Sequence, residues 1–293
     1  MITPDVSTAA FDLYLPRVPS IPLVFDSPHS WGGWPESVET SAPKEAILTA
    51  WDAYIDELWA DVVEVGATLL AARFHRSYID ANRSETDIDL ELLNGPWPGE
   101  VKPSEKVDKG MGLIRRFALP GVPMYKSQLP VSEVQYRLDT YYRPYHRALA
   151  SALENAKGDS PRLIHVDLHS MKSVGNRMNS DAGQKRPDIV VSDRNGTTSD
   201  HKLTQWIAAK LTELGYSVSV NSPYLGAELV RRYGCPQSGV HSVQIELNRS
   251  LYMNEISFEK NQGFDKLKSK LGAFQRELAV YIQQSSTSFL NAA

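Results

Sequence analysis

The 293-residue chain is 42% hydrophobic and 23% charged, with a net charge of −4. This length can bury a sizeable core, and the slightly acidic balance speaks against a dedicated nucleic-acid binder, which needs a basic face. Cys235 is the one cysteine, which excludes a disulfide framework and suits a reducing compartment.

The first residues lack the basic and apolar regions of a signal peptide, and no apolar run reaches membrane-spanning length. A soluble, cytoplasmic protein without membrane or nucleic-acid partners is expected. Residues 1–20 read as an irregular arm. Ile21-Pro22-Leu23-Val24-Phe25 is a first strand that runs out into Asp26-Ser27-Pro28-His29-Ser30, where Pro28 keeps the chain extended before His29. Ser41 and Pro43 open a helix expected to run to about residue 65, with Ile47, Trp51, Ile55, Leu58 and Val62 as its apolar stripe. Asp52 and Asp56, four apart, would share a face beside that stripe. Residues 67–72 form a second strand, and the segment after it exits into Asp80-Ala81-Asn82-Arg83. Residues 84–130, rich in Pro, Gly, Glu and Lys, read as a loop-rich insertion with a hairpin around 110–119, the source of a rim or lid. A helix over about 131–156 contains Pro144 and should kink there; Arg143 and His146, three apart, share one of its faces.

The stretch Leu163-Ile164-His165-Val166-Asp167-Leu168-His169-Ser170-Met171 stands out. A strand buried on both faces should be almost continuously apolar, so His165, Asp167 and His169 point to a ligand site at the strand's carboxyl end. The three would share one face of an unbroken strand; the backbone is expected to turn before His169, leaving Asp167 to orient a ligand or hold an arginine. A strand at 188–192 follows, then the turn Asp193-Arg194-Asn195-Gly196. An amphipathic helix over about 199–214 stops at Gly215. Next come a strand at 217–221, a short helix at 228–233 and a strand from 239 ending in Gln244-Ile245-Glu246-Leu247-Asn248-Arg249. A long amphipathic helix over 257–284 closes the chain. This alternation makes residues 1–293 one α/β domain with a central mixed, mainly parallel sheet flanked by helices.

Catalytic zinc takes three protein ligands and leaves a position for water. His29, His169 and one carboxylate meet that need, with Asp56 preferred and Asp52 the alternative; such ligands also accept other divalent metals. Glu246, a charge inside an apolar strand, is the candidate general base, the structural alternative being an ion pair with Arg83 or Arg249. Arg83 can grip a carboxylate through two parallel hydrogen bonds. Arg249 joins it in that role, Asn82 and Asn248 offer fixed hydrogen bonds, and Arg143, His146 and Arg194 complete the candidate substrate-binding set. The chemistry these residues suit is metal-dependent amide hydrolysis by an activated water.

The motifs Ser27-Pro28-His29-Ser30, Trp51-Asp52-Ala53-Tyr54-Ile55-Asp56, Asp80-Ala81-Asn82-Arg83, Asp167-Leu168-His169-Ser170-Met171, Asn221-Ser222-Pro223-Tyr224 and Gln244-Ile245-Glu246-Leu247-Asn248-Arg249 resemble those of the N-formylglutamate amidohydrolases, or deformylases, over residues 20–255. That family is distantly similar to zinc carboxypeptidases and aspartoacylases. The resemblance implies hydrolysis of N-formyl-L-glutamate to formate and L-glutamate in a route of histidine degradation. It also implies His29 and His169 on the metal, Glu246 as base, and arginines on the two substrate carboxylates. The carboxypeptidase-type motif has a glutamate three residues after its first histidine; Gly32 stands there in this chain, which directs the third ligand to the Asp52/Asp56 segment. Two other readings are a metal-dependent deacylase or carboxypeptidase for another N-acyl amino acid or small peptide, and a non-catalytic binder of acidic metabolites.

Overall fold

The computed structural model describes residues 2–176, 179 and 181–290, with 285–290 as backbone only. Its centre is an eight-stranded sheet: β1 (Val6–Ser7), β2 (Phe11–Tyr14), β3 (Leu23–Ser27), β4 (Thr68–Ala72), β5 (Leu163–Met171), β6 (Ile189–Ser192), β7 (Val218–Val220) and β8 (Val240–Asn248). The strand order is β1-β2-β4-β3-β5-β8-β6-β7. The central four, β4, β3, β5 and β8, run parallel, and β2 and β6 pair antiparallel at either side of them. The mixed α/β sheet expected from the sequence is therefore present. Residues 1–20 are not an irregular arm, because β1 and β2 extend the sheet, with Phe11 to Tyr14 paired to Ala72 to Leu69.

The two faces of this sheet differ in chemistry. Phe25, Ile164, Val166, Leu168, Val243, Ile245 and Leu247 face one side and join one apolar core. That core is closed by α2 (Ile55–Leu58), a 3-10 turn (Ala60–Val65), α6 (His201–Glu213) and α8 (Phe264–Leu290). The other side lies under α5 (Arg143–Lys157) and α7 (Glu228–Tyr233). It carries a polar stripe across three neighbouring strands: Asp26, then His165, Asp167 and His169, then Ser242, Gln244 and Glu246. Register aligns them, with Asp26 opposite Asp167, Ser242 opposite His165, Gln244 opposite Asp167 and Glu246 opposite His169. All are buried. The expected turn before His169 does not occur. β5 stays extended to Met171, so the period-2 alternation keeps His165, Asp167 and His169 on one face.

The expected continuous helix over 41–65 is also broken. It divides into α1 (Lys44–Leu48), α2 and the 3-10 turn, with residues 49–54 outside any helix. Tyr54 takes a left-handed φ of 62°, and the Asp52 amide donates to the His29 carbonyl at 3.1 Å instead of continuing a helical ladder. The helical run over 131–157 is continuous, as α4 (Val131–Arg137), a π turn (Leu138–Tyr142) and α5. Pro144 therefore falls in the first turn of a helix segment, where its missing N–H costs little, and the π turn takes up the irregularity. The insertion holds two short strands that pair with each other (Leu93–Asn94 and Leu129–Pro130), α3 (Glu105–Asp108), a single antiparallel bridge between Met111 and Arg115, and a hairpin displaced to Phe117–Leu119 and Val122–Pro123.

Candidate active site

Three strand or loop ends meet where the polar stripe reaches the carboxyl edge of the sheet. His169 comes from β5, His29 from the turn after β3, and Asp52 from the broken segment whose amide His29 itself anchors. The two Nδ1 atoms of His29 and His169 lie 3.2 Å apart. Asp52 Oδ2 is 3.0 Å from His169 Nδ1 and 3.5 Å from His29 Nδ1. Each ring's other nitrogen faces a buried carboxylate: His29 Nε2 is 2.7 Å from Asp80 Oδ1, and His169 Nε2 is 2.8 Å from Asp167 Oδ1. A neutral imidazole has one N–H and one lone pair. In the tautomer that turns each Nε2–H toward its carboxylate, both Nδ1 lone pairs and the Asp52 oxygen converge on one point. Three such acceptors repel one another unless a cation lies between them, and a carboxylate behind a ligating histidine is the usual support for one. The donor set thus fits a divalent metal, with ligand atoms all within 4.8 Å of one another.

The structure groups Asp52, and not Asp56, with the histidines. Asp56 sits in the first turn of α2, accepts from the Glu57 amide at 3.0 Å and shares its surroundings with Asp12 and Tyr14. Burial pushes the Asp52 carboxyl up, but His169, His29 and the Arg249 guanidinium outweigh that and hold it well below the usual range. Gly32 offers no ligand and no room for one, since a Cβ there would stand 2.9 Å from the Trp51 ring.

Glu246 is the strand partner of His169 and faces the same cavity. It accepts from Gln244 Nε2 at 2.9 Å and makes no ion pair with an arginine among the described residues. Burial, foremost, and the nearby Asp52 push its pKa up to about 7 against the pull of His169.

The cavity of about 560 Å³ in front of these groups is lined by Asn82, Arg83, Arg249 and by cations that sequence reasoning missed, Arg76, Arg115 and Arg186 among them. Asn82 packs against the site, its Nδ2 donating to Asp167 Oδ2 at 3.3 Å beside His169 Nε2, and its Oδ1 accepting from the Leu229 amide at 2.8 Å. Arg83 donates to the carbonyls of Met111 and Asn82. Arg249, proposed from sequence as a substrate group, is occupied: Nη2 reaches Asp52 Oδ1 at 2.8 Å, Nε reaches Ser170 and Nη1 the Thr49 carbonyl. The remaining candidates lie outside the cavity lining. Arg143 pairs with Glu85 and Asp139. His146 is buried between the Ala81 carbonyl and the Tyr233 hydroxyl, and so braces the segment before Asn82. Arg194 donates to the Gly226 carbonyl, and Asn248 caps the turn Arg249–Leu251. Of the missed groups, Arg76 and Asp80 had a signal, a four-residue spacing of opposite charges; they form an ion pair at 2.9 Å. Arg115 had none.

A family model described as N-formylglutamate amidohydrolase matches residues 21–253. The chain belongs to the N-formylglutamate amidohydrolase family. As a member it is a hydrolase of amide bonds. It is 29% identical over 239 residues to an N-formylglutamate deformylase of Pseudomonas aeruginosa, covering 80% of this chain and 83% of that one, and equally to one of Pseudomonas putida. The crystal structure of an N-formylglutamate amidohydrolase from Ralstonia eutropha JMP134 superposes with a TM-score of 0.91 at 40% identity, over 94% of this chain and 99% of that one. A gene product of Agrobacterium tumefaciens shares the fold at 19% identity, with a TM-score of 0.64 over 94% and 95% of the two chains. No described helix is long and apolar enough to cross a membrane.

Proposed function

We propose that this chain hydrolyses N-formyl-L-glutamate to formate and L-glutamate, a step in histidine degradation. In this reading a divalent cation, zinc as first choice, is held by His29, Asp52 and His169. The observation that carries it is the pair of facing Nδ1 atoms beside a carboxylate, each histidine backed by a second one. When bound, such a cation supplies Lewis-acid polarisation of the formyl carbonyl and eases deprotonation of water. Glu246, side by side with His169, takes the proton from the water whose oxygen attacks the formyl carbon. As the carbon–nitrogen bond breaks, Glu246 returns that proton to the leaving nitrogen, and the second water proton passes from the nascent formic acid to the amine, so one water is consumed and formate and the ammonium form of L-glutamate are released. Arg83, pre-oriented by two carbonyl oxygens, holds the α-carboxylate.

The test is formate release from N-formyl-L-glutamate before and after chelation, with zinc added back. Chelator-sensitive release restored by metal is expected, and Glu246→Gln should keep its metal while kcat falls by about 10²–10⁴. Release that survives complete metal removal would overturn the metal role. Release from N-acetyl-L-glutamate or N-formyl-L-methionine in place of N-formyl-L-glutamate would overturn the substrate.

A further inference from the structure

We infer that Arg115 receives the side-chain carboxylate of the substrate and so sets the preference for diacids, an assignment that rests on the amide-hydrolase reading above. Among the cavity's arginines, most are already matched. Arg76 is paired with Asp80, Arg186 with Asp181 and Arg249 with Asp52. Arg83 and Arg115 are not: neither has a carboxylate within ion-pair distance among the described residues. The case is sharper for Arg115. It is 9% exposed, its Nε is buried without a partner, and its guanidinium makes no hydrogen bond to any described residue. A buried cation without a counter-charge is costly unless something else supplies one. Burial, together with Arg76 and Arg83, lowers its pKa to about 9. Two unmatched guanidinium groups in one cavity suit a ligand with two carboxylates.

Their positions assign the two ends. Arg83 follows Asn82, which touches His169. We therefore give Arg83 the α-carboxylate, one bond from the carbon bearing the scissile nitrogen, and leave the side-chain carboxylate to Arg115. Arg115 closes the turn that starts at Met111, whose carbonyl receives Arg83 Nε at 3.1 Å, while the Leu113 carbonyl receives the Asp80 amide at 2.8 Å. The two arginines are thus fixed to each other through a short hydrogen-bonded unit. Met111, Ala118 and Leu119 line the same wall and offer apolar surface to the two methylenes of a glutamyl side chain.

The experiment compares N-formyl-L-glutamate with N-formyl-L-glutamine on metal-loaded wild type, Arg115→Gln and Arg115→Lys, and measures glutarate binding by calorimetry. Arg115→Gln should lower kcat/KM for the glutamate substrate by about 30- to 100-fold, mainly through KM. The glutamine substrate should change by less than about threefold, and Arg115→Lys should recover part of the loss because it keeps the charge but not the fork. Glutarate binding should weaken in parallel with KM. Equal losses on both substrates, or glutarate affinity untouched in both variants, would overturn the assignment. If wild type releases formate from neither substrate, the hydrolytic reading falls, and the glutarate measurement still decides the role of Arg115.

Discussion

Ser242 Oγ lies 2.7 Å from His165 Nδ1, and His165 Nε2 lies 2.8 Å from Asp26 Oδ1. The three are connected in the order of a serine triad. Yet all are fully buried, none lines the cavity, and Tyr145 donates to the remaining Asp26 oxygen at 2.6 Å. The chain is better explained as the satisfied back of the polar stripe, since buried polar groups need partners. Ser242→Ala should therefore cost about 1 kcal/mol of stability and leave kcat within about twofold, whereas loss of a serine nucleophile would cost about 10³ or more. A steady-state assay with a thermal melt separates the two. At this scale the sequence was informative wherever charge sat in an apolar strand: His169, His165, Asp167 and Glu246 were legible because burying them demands a reason. Arg115 was not legible, because in a segment without periodicity a buried arginine looks like a solvated one.

The element that misled was the segment after α1. Ile47, Trp51, Ile55, Leu58 and Val62 keep helical spacing, so the pattern could not reveal that residues 49–54 leave the helix. Their conformation is fixed by long-range partners, the His29 carbonyl for the Asp52 amide and Arg249 for its carboxylate. The break moves Asp52 to the histidines and leaves Asp56 half-buried against Asp12 and Tyr14. Burial raises the Asp56 pKa from 3.8 to about 6. The folded state then holds this proton more tightly than the unfolded one, so its contribution is present below about pH 4 and lost as pH rises through 6. Asp56→Asn should stabilise by about 1–3 kcal/mol at pH 7.5 and by little at pH 4, with metal content unchanged. Denaturant melts at the two pH values check this; metal loss in Asp56→Asn would instead return Asp56 to the ligand set. The π turn before Pro144 is a second element whose shape serves the site, since Tyr142 at its end donates to the Arg83 carbonyl at 2.8 Å.

Seen whole, the molecule has a net charge of −4, yet eight of its described lysines and arginines line one cavity. The alternation of strands and helices was readable along most of the chain, and with it the α/β class. The insertion was readable as a loop-rich rim with a hairpin, but not in the groups it brings to the cavity, Arg115 and the Met111 carbonyl that orients Arg83. The site is thus two systems joined, a polar stripe built into the sheet and a cationic wall laid over it. The wall has a kinetic consequence. Neither Arg83 nor Arg115 meets the formyl group in the proposed arrangement, so their hold on the two carboxylates is the same before and after the bond is cut. Such uniform binding lowers KM without raising kcat. L-Glutamate should therefore inhibit competitively against N-formyl-L-glutamate, with an inhibition constant within about tenfold of KM, while L-glutamine should not.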